Sequence, residues 1–156
     1  MLYILLFLTT VGVIALDQWT KFLTIANIPM YGQIPVWDGV FHLTYILNTG
    51  AAFSMLEGQM WFFFLITLAF LVGVGLVIWK KWITHPVGLF AIAMITGGAI
   101  GNFIDRMTIG AVVDMIEVEF MDFAIFNVAD SFIVVGAILL CIWAIFLDRK
   151  PKEKQA

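Results

Sequence analysis

Four long apolar segments constrain this chain more than any other feature of its sequence. Each is close to the roughly 20 residues that a helix needs to cross the hydrocarbon core of a membrane. They lie at about residues 2–25, 60–79, 87–104 and 128–147. Hydrophobic residues make up 63% of the chain and charged residues only 12%, whereas soluble domains average about 25% charged residues. The sequence therefore predicts an integral membrane protein with four transmembrane helices, folded as one domain over residues 1–156.

Basic residues are concentrated after the second and fourth segments, and this predicts the orientation of the helices. Six of the eight Lys and Arg residues lie there, namely Lys80, Lys81, Arg149, Lys150, Lys152 and Lys154. Cytoplasmic loops are enriched in Lys and Arg, so we expect both termini in the cytoplasm. Nine of the eleven acidic residues then fall at or beyond the outer face, where any carboxylate chemistry is expected. The small net charge of −3 gives no reason to expect a nucleic-acid partner.

Two stretches outside the apolar segments have the pattern of β-strands. In the first, every odd position from Phe41 to Leu47 is apolar, and the second, residues 110–125, is rich in β-forming residues. An open sheet edge cannot face lipid, so we expect the two strands to pair above the bilayer. The predicted fold is an all-α membrane protein with four transmembrane helices and a small extracytoplasmic β cap. The segment from Asn48 to Phe53 is expected to be a turn and an extended stretch, a candidate lid.

Two aspartates lie among apolar residues, where a charge is costly. Asp114 follows two valines, and Asp130 begins the fourth apolar segment. An ionised carboxylate in or near hydrocarbon is a candidate functional group by default. Two close carboxylates can share a proton, so that one activates water as a base while the other donates to a carbonyl oxygen, without a covalent intermediate. The residue pattern alone leaves the pair open among Asp17, Asp114 and Asp130.

Other catalytic chemistries have fewer residues to use on the outer side. His42 is the only histidine there and is interpreted as a solvated or hydrogen-bonded strand residue, and the chain has one cysteine. No metal site, cofactor or intramolecular disulfide is therefore expected. A serine mechanism needs a base, and a Ser–Lys pair stays open although no spacing favours it. The remaining outer acids with apolar neighbours are interpreted as solvated or locally paired, and these are Asp105, Glu117, Glu119 and Asp122.

Two pairs of polar residues with helical spacing lie at the apolar segments. Asp17 and Lys21 are either a self-neutralised pair whose lysine reaches the interface or interior groups that support a site. Asn102 and Arg106 are also four residues apart, so both side chains can point at one site. Arg106 is then available to neutralise Asp105 or to hold a negative group from elsewhere.

Two functions without proteolysis are also consistent with single features of the sequence. One is a small proton-coupled transporter in which Asp17 and Asp130 form a relay. The absence of internal repeats among the apolar segments counts against it. The other is a structural membrane subunit, which leaves the polar motifs without a purpose.

Five short motifs in a fixed order connect the chain to a known family. They are Asp17-Gln18-Trp19-Thr20-Lys21, Asn48-Thr49-Gly50-Ala51-Ala52-Phe53, Gly97 to Arg106, Val112-Val113-Asp114 and Phe126-Asn127-Val128-Ala129-Asp130. Together they resemble the bacterial lipoprotein signal peptidases, or type II signal peptidases, over essentially the whole chain. Thr20 stands where the family usually has serine, a change that keeps the hydroxyl.

The resemblance implies an aspartic endopeptidase of the bacterial cytoplasmic membrane, with its active site near the outer face. It would cut signal peptides from prolipoproteins on the N-terminal side of a diacylglyceryl-modified cysteine. Its partners would be these lipid-modified substrates and membrane lipids, and we expect a monomer. The family's catalytic aspartates match Asp114 and Asp130. The residues that match those lining or supporting the site are Asp17, Lys21, Asn48, Gly98, Asn102, Arg106, Asn127 and Ala129.

Overall fold

The structure, a computed structural model, describes residues 2–50 and 55–148. Its helices are α1 (Leu2–Asn27), α2 (Met60–Trp79), α3 (Pro86–Ile109) and α4 (Val128–Ile142), the last continued by a π-helical turn, Trp143–Leu147. Within these residues, four helical segments, counting α4 with its π-helical turn, are long and apolar enough to cross a membrane, which confirms the predicted spans. Parts of two sequence features lie outside the described residues: the candidate lid from Ala51 to Phe53 and the C-terminal basic residues from Arg149 onward.

The third helix is longer than predicted at its C-terminal end. Its start is defined by His85, whose ring Nδ1 accepts a hydrogen bond from the Val87 N–H at 3.2 Å. The apolar pattern predicted an end near Ile104, but the helix continues to Gly110, which has the left-handed φ of 76° that commonly ends a helix. The added residues keep Arg106 on the helix, as its spacing from Asn102 predicts.

Helix α3 is the centre of the bundle and packs closely against α1 and α4. A Cβ atom on Gly98 would lie 2.5 Å from the carbonyl oxygen of Ala129 in α4, and one on Gly101 would lie 2.5 Å from Asp17 Oδ2 in α1. Glycine at these positions lets the neighbouring helices approach. The outer helices also carry exposed apolar side chains suited to lipid, for example Phe7, Leu65 and Ile138.

A three-stranded antiparallel sheet lies at one end of the bundle. Its strands are β1 (Gln33–Trp37), β2 (Phe41–Asn48) and β3 (Val112–Val118), in the order β1-β2-β3. The predicted pairing of the two β-rich stretches is confirmed, with Ile46 opposite Asp114. Strand β1 was not predicted, since it is an exposed edge strand that contains Pro35 and edge strands tolerate proline. The sheet contacts α1 and α3, near the points where these helices end and α4 begins.

Candidate active site

Asp114 and Asp130 line the same cavity, which has a volume of about 660 Å³. Asp114 comes from β3 and Asp130 from the first turn of α4. Asn102 and Arg106 of α3 line the cavity as well, so their shared helical face is directed at one site as their spacing predicts. The rest of the lining is mostly apolar and comes from α2, α4 and the loop before α4.

Asp114 is a nearly fully buried acid, with 2% of its surface exposed. Its Oδ2 accepts a hydrogen bond from Asn48 Nδ2 at 2.9 Å, and its Oδ1 accepts one from Asn127 Nδ2 at 2.7 Å. Burial raises the pKa of Asp114 to about 6; the nearby charge of Asp130 adds to the rise, while the two asparagine hydrogen bonds oppose it. A carboxyl group of this kind can carry a proton near neutral pH.

Asp130 has different surroundings, since its carboxylate accepts two hydrogen bonds at the start of a helix. It is the third residue of α4, where its Oδ2 accepts from the Asn127 backbone N–H at 3.2 Å and its Oδ1 accepts from Asn102 Nδ2 at 2.7 Å. The N-terminal turn of a helix also stabilises negative charge. Asp114 and Asp130 therefore differ in burial and in position relative to a helix.

Asn127 connects the two acids. It is fully buried and caps α4, with its Oδ1 accepting from the Asp130 N–H at 2.9 Å. Its Nδ2 donates to Asp114 and also lies 3.1 Å from Asn102 Oδ1. One side-chain amide thus contacts β3, α3 and α4 at the point where the acids meet.

Lys21 lies beneath the acids and contacts three acceptors. Its Nζ is 2.9 Å from Asp17 Oδ2, 2.8 Å from Asp105 Oδ2 and 2.8 Å from Asn102 Oδ1. Only 2% of the lysine surface is exposed. Of the two interpretations of the pair with Asp17, the one with the lysine at the interface is wrong, and both side chains face the interior.

Asp17, Gly98 and Ala129 fix the position of α4 rather than contacting the acids. Asp17 Oδ1 accepts from the Ala129 backbone N–H at 2.9 Å, and Gly98 provides the space for the Ala129 carbonyl described above. Asp105 is buried and paired with Lys21 of α1 rather than with its neighbour Arg106, so the interpretation of Asp105 as solvated or locally paired is wrong. It also accepts from the Val113 N–H at 3.1 Å.

Arg106 of α3 lines the cavity, whereas Lys21 does not. Its guanidinium carbon lies 4.4 Å from the centre of the Phe63 ring, and its Nη2 donates to the Gly50 carbonyl at 3.1 Å. Its buried Nε has no partner among the described residues. Arg106 interacts electrostatically with Asp130, Asp114 and Asp105.

Two neighbours of the site were not singled out from the sequence. Gln18 donates to Asp105 Oδ1 at 2.8 Å and to the Gly101 carbonyl at 3.2 Å. Its position directly after Asp17 in the first motif is the sequence feature that could have indicated a role near the site. Phe63 lies in a uniformly apolar helix, where nothing distinguishes the one aromatic ring that meets Arg106.

The outer histidine is part of the sheet and does not line the cavity. His42 contacts Glu117 at 2.6 Å and Glu119 at 2.8 Å, and the bond to Glu119 is the largest cause that raises its pKa. This agrees with the interpretation of a hydrogen-bonded strand histidine and of paired acids. Within residues 2–50 and 55–148, no group of three or more His, Cys, Asp or Glu residues has a geometry that suits a metal ion.

Comparisons of the sequence and of the structure with known proteins give the same result. Residues 9–146 match a peptidase family model described as signal peptidase (SPase) II. The lipoprotein signal peptidase of Enterococcus faecalis is 45% identical over 155 residues, which are 97% of this chain and 94% of the relative. That of Halalkalibacterium halodurans is 42% identical over 151 residues, or 96% of this chain and 97% of the relative. A solved structure described as a bacterial membrane enzyme superimposes with a TM-score of 0.86 at 35% identity, covering 97% of this chain and 93% of the other.

Proposed function

Because this chain belongs to the signal peptidase II family, we propose that it cleaves prolipoproteins by an aspartic mechanism in which Asp114 and Asp130 are the catalytic pair. Membership makes it a multi-pass membrane protease that acts as a lipoprotein signal peptidase. The observation that carries the aspartic assignment is that both carboxyl groups line one cavity while a single amide, that of Asn127, bonds to both residues.

The two acids have different roles in the proposed reaction. Asp130, with two N–H donors on its carboxylate, takes a proton from water as the water oxygen attacks the scissile carbonyl carbon. Asp114, whose pKa burial raises to about 6, donates its proton to the carbonyl oxygen. When the C–N bond breaks, Asp130 returns its proton to the leaving nitrogen and Asp114 regains one from the hydroxyl. Water attacks directly, so no covalent intermediate forms.

The surrounding residues hold this arrangement or face the substrate. Three asparagines orient the carboxyl groups, and the other supporting residues fix the helices that carry them. Arg106, exposed to the cavity beside the acids, is suited to bind a carbonyl oxygen of the substrate. The supporting set proposed here is Asp17, Lys21, Asn48, Gly98, Asn102, Arg106, Asn127 and Ala129.

The shape of the cavity supports an apolar, lipid-bearing substrate. From the two acids its lining continues along α2 through Ile66 and along α4 through Ile133 and Val134. A signal peptide and the acyl chains of a diacylglyceryl-modified cysteine are both apolar, and a groove between helices can accept them from the bilayer. We propose cleavage on the N-terminal side of that cysteine, with no cofactor.

The position of the site supports the proposed topology. The acids lie at the end of the bundle that carries the sheet, whereas Lys80 and Lys81 lie at the other end, between α2 and α3. With the basic connection in the cytoplasm, both termini are cytoplasmic and the active site lies near the outer face of the bacterial cytoplasmic membrane. Lipids would surround the exposed apolar helix faces. We also propose that the protein is a monomer.

Separate Asp114→Asn and Asp130→Asn variants test the assignment. Purified protein in lipid vesicles is given a prolipoprotein with a diacylglyceryl cysteine, and cleavage is followed by mass spectrometry. General acid–base groups contribute about 10²–10⁴-fold to rates, so each variant should lose at least that much activity. Normal cleavage by either variant, shown to be inserted and folded, would make the proposed pair wrong.

A further inference from the structure

Lys21 constrains the orientation of an amide that contacts the catalytic acids. Its ammonium group can only donate hydrogen bonds, because it has no lone pair to accept one. The Asn102 atom that lies 2.8 Å from Lys21 Nζ must therefore be the carbonyl oxygen. The amide nitrogen of Asn102 then has to face the other way, where it lies 2.7 Å from Asp130 Oδ1.

A second donor acts on the same oxygen. Asn127 Oδ1 accepts from the Asp130 backbone N–H, a group that can only donate, so the Asn127 amide is oriented as well. Its Nδ2 consequently lies 3.1 Å from Asn102 Oδ1. A flipped Asn102 would lose both donors and would turn its carbonyl oxygen toward the Asp130 carboxylate.

The charges around Lys21 indicate that it acts on Asp130 more through the orientation of Asn102 than through direct charge attraction. Asp17 of α1 and Asp105 of α3 both touch its ammonium group, so these three residues together carry a formal charge of about −1. The charged groups on the cavity side are Arg106 of α3, Asp114 of β3 and Asp130 of α4. Lys21 also interacts electrostatically with Asp114, but among the described residues it has no hydrogen bond or ion pair with Asp130, and Asn102 contacts both.

We propose that Lys21 is a positioning residue that makes Asp130 the base of the pair by locking Asn102 with its amide nitrogen toward Asp130. This rests on the proposed aspartic mechanism. A merely structural lysine would change how much folded enzyme is present. A lysine that sets the orientation of Asn102 would also change the pH range in which the folded enzyme works.

The test is the pH profile of kcat/KM for prolipoprotein cleavage by the double variant Lys21→Met/Asp105→Asn. Methionine keeps the length of the side chain without the N–H donors, and the asparagine keeps the formal charge of the cluster unchanged. Loss of the oriented N–H on Asp130 should move the acid limb of the profile upward by about one pH unit, the size typical of one charge-assisted hydrogen bond. An unchanged acid limb in folded enzyme overturns the proposal.

Two single variants serve as controls. Asp105→Asn alone keeps the lysine and its contact with Asn102 and removes one negative charge, so its acid limb should not move upward. Thr24→Val changes another buried position of α1, one turn beyond Lys21, and should leave both the rate and the profile unchanged. An upward shift in Asp105→Asn as large as that of the double variant would assign the effect to loss of the Asp105 carboxylate rather than of the lysine, and would overturn the proposal.

If the double variant does not fold, Asn102→Asp tests the N–H that Asn102 donates to Asp130. The new carboxylate can still accept from Lys21 and Asn127, but it presents an oxygen instead of an N–H to Asp130. The acid limb should move upward by more than about one unit, because a like charge adds to the lost donor. A wild-type profile would overturn the proposal. Full activity of Asp114→Asn or Asp130→Asn would instead reject the aspartic mechanism itself.

Discussion

The Asn127 side-chain amide donates a hydrogen bond of 2.7 Å to the carboxyl group of Asp114. Because Asn127 is also the N-cap of α4, the same residue begins the helix that carries Asp130 and holds the acid that belongs to the sheet. The distance between the two proposed catalytic groups therefore depends on a helix cap, and the cap and the bridge can be separated by mutation.

We expect Asn127→Ser to lose activity while it keeps most of the stability. Serine is as good an N-cap as asparagine but has no N–H that can reach Asp114. Asn127→Ala removes both functions and should in addition lower the free energy of unfolding by about 1 kcal/mol. Cleavage rates and thermal unfolding in detergent measure the two effects. Full activity of Asn127→Ser would show that the bridge to Asp114 has no role in cleavage.

Removing the Asn48 side chain should move the alkaline limb of the kcat/KM profile to higher pH. Asn48 donates to Asp114 Oδ2 at 2.9 Å, and this bond favours the charged carboxylate and lowers the pKa of Asp114 against the effect of burial. In the proposed mechanism Asp114 must be protonated, so activity falls as pH rises through its pKa. Asn48→Ala should raise that pKa. A shift toward lower pH would contradict the role of Asp114 as the acid.

The sequence was sufficient to locate the spans and the candidate acids, because both depend on local features. Span length and hydropathy are properties of a single segment, and an acid among apolar residues is visible one residue at a time. The i,i+4 spacing showed that Asp17 and Lys21 share a helical face. It did not show that this face is buried, because the buried position of Lys21 depends on its contact with Asn102, 81 residues away from it in the chain.

The errors in the predicted elements also have non-local causes. The apolar pattern placed the end of the third span near Ile104, just before Asp105, yet Asp105 is buried and paired with Lys21 of another helix. Strand β1 has five exposed residues and no alternation of burial, so only its pairing with β2 reveals it. Hydropathy alone contains no information on either contact.

Protonation of Asp114 should also be visible in the stability of the protein. Its pKa is raised from the ordinary value of 3.8 to about 6, so between these values the folded state binds the proton more tightly than the unfolded state. Stability from this group is therefore fully present at low pH and is lost as pH rises through about 6, by roughly 3 kcal/mol in total.

Unfolding of the purified protein by denaturant at a series of pH values measures this slope. Asp114→Asn cannot titrate and should lack this part of the decrease. Asp38→Asn, a matched change of an exposed acid in the turn between β1 and β2, should keep it. Identical slopes in wild type and Asp114→Asn would contradict a raised pKa at this position.

Gly98→Ala should lower both stability and activity, because it forces α3 and α4 apart at the site. The added Cβ would lie 2.5 Å from the Ala129 carbonyl oxygen, and a backbone atom cannot move aside as a flexible side chain can. Overpacking of this kind typically lowers the free energy of unfolding by about 1–3 kcal/mol. Moving the start of α4 also moves Asp130 relative to Asp114. The matched control is Gly73→Ala in α2, where, apart from the backbone of α2 itself and the two adjacent residues, none of the described residues comes within 4 Å of the new Cβ. That variant should unfold at or slightly above the wild-type temperature, because alanine is the better helix former, and it should cleave at the normal rate. Equal effects of the two substitutions would show that close approach of α3 and α4 at Gly98 is not what holds the acids together.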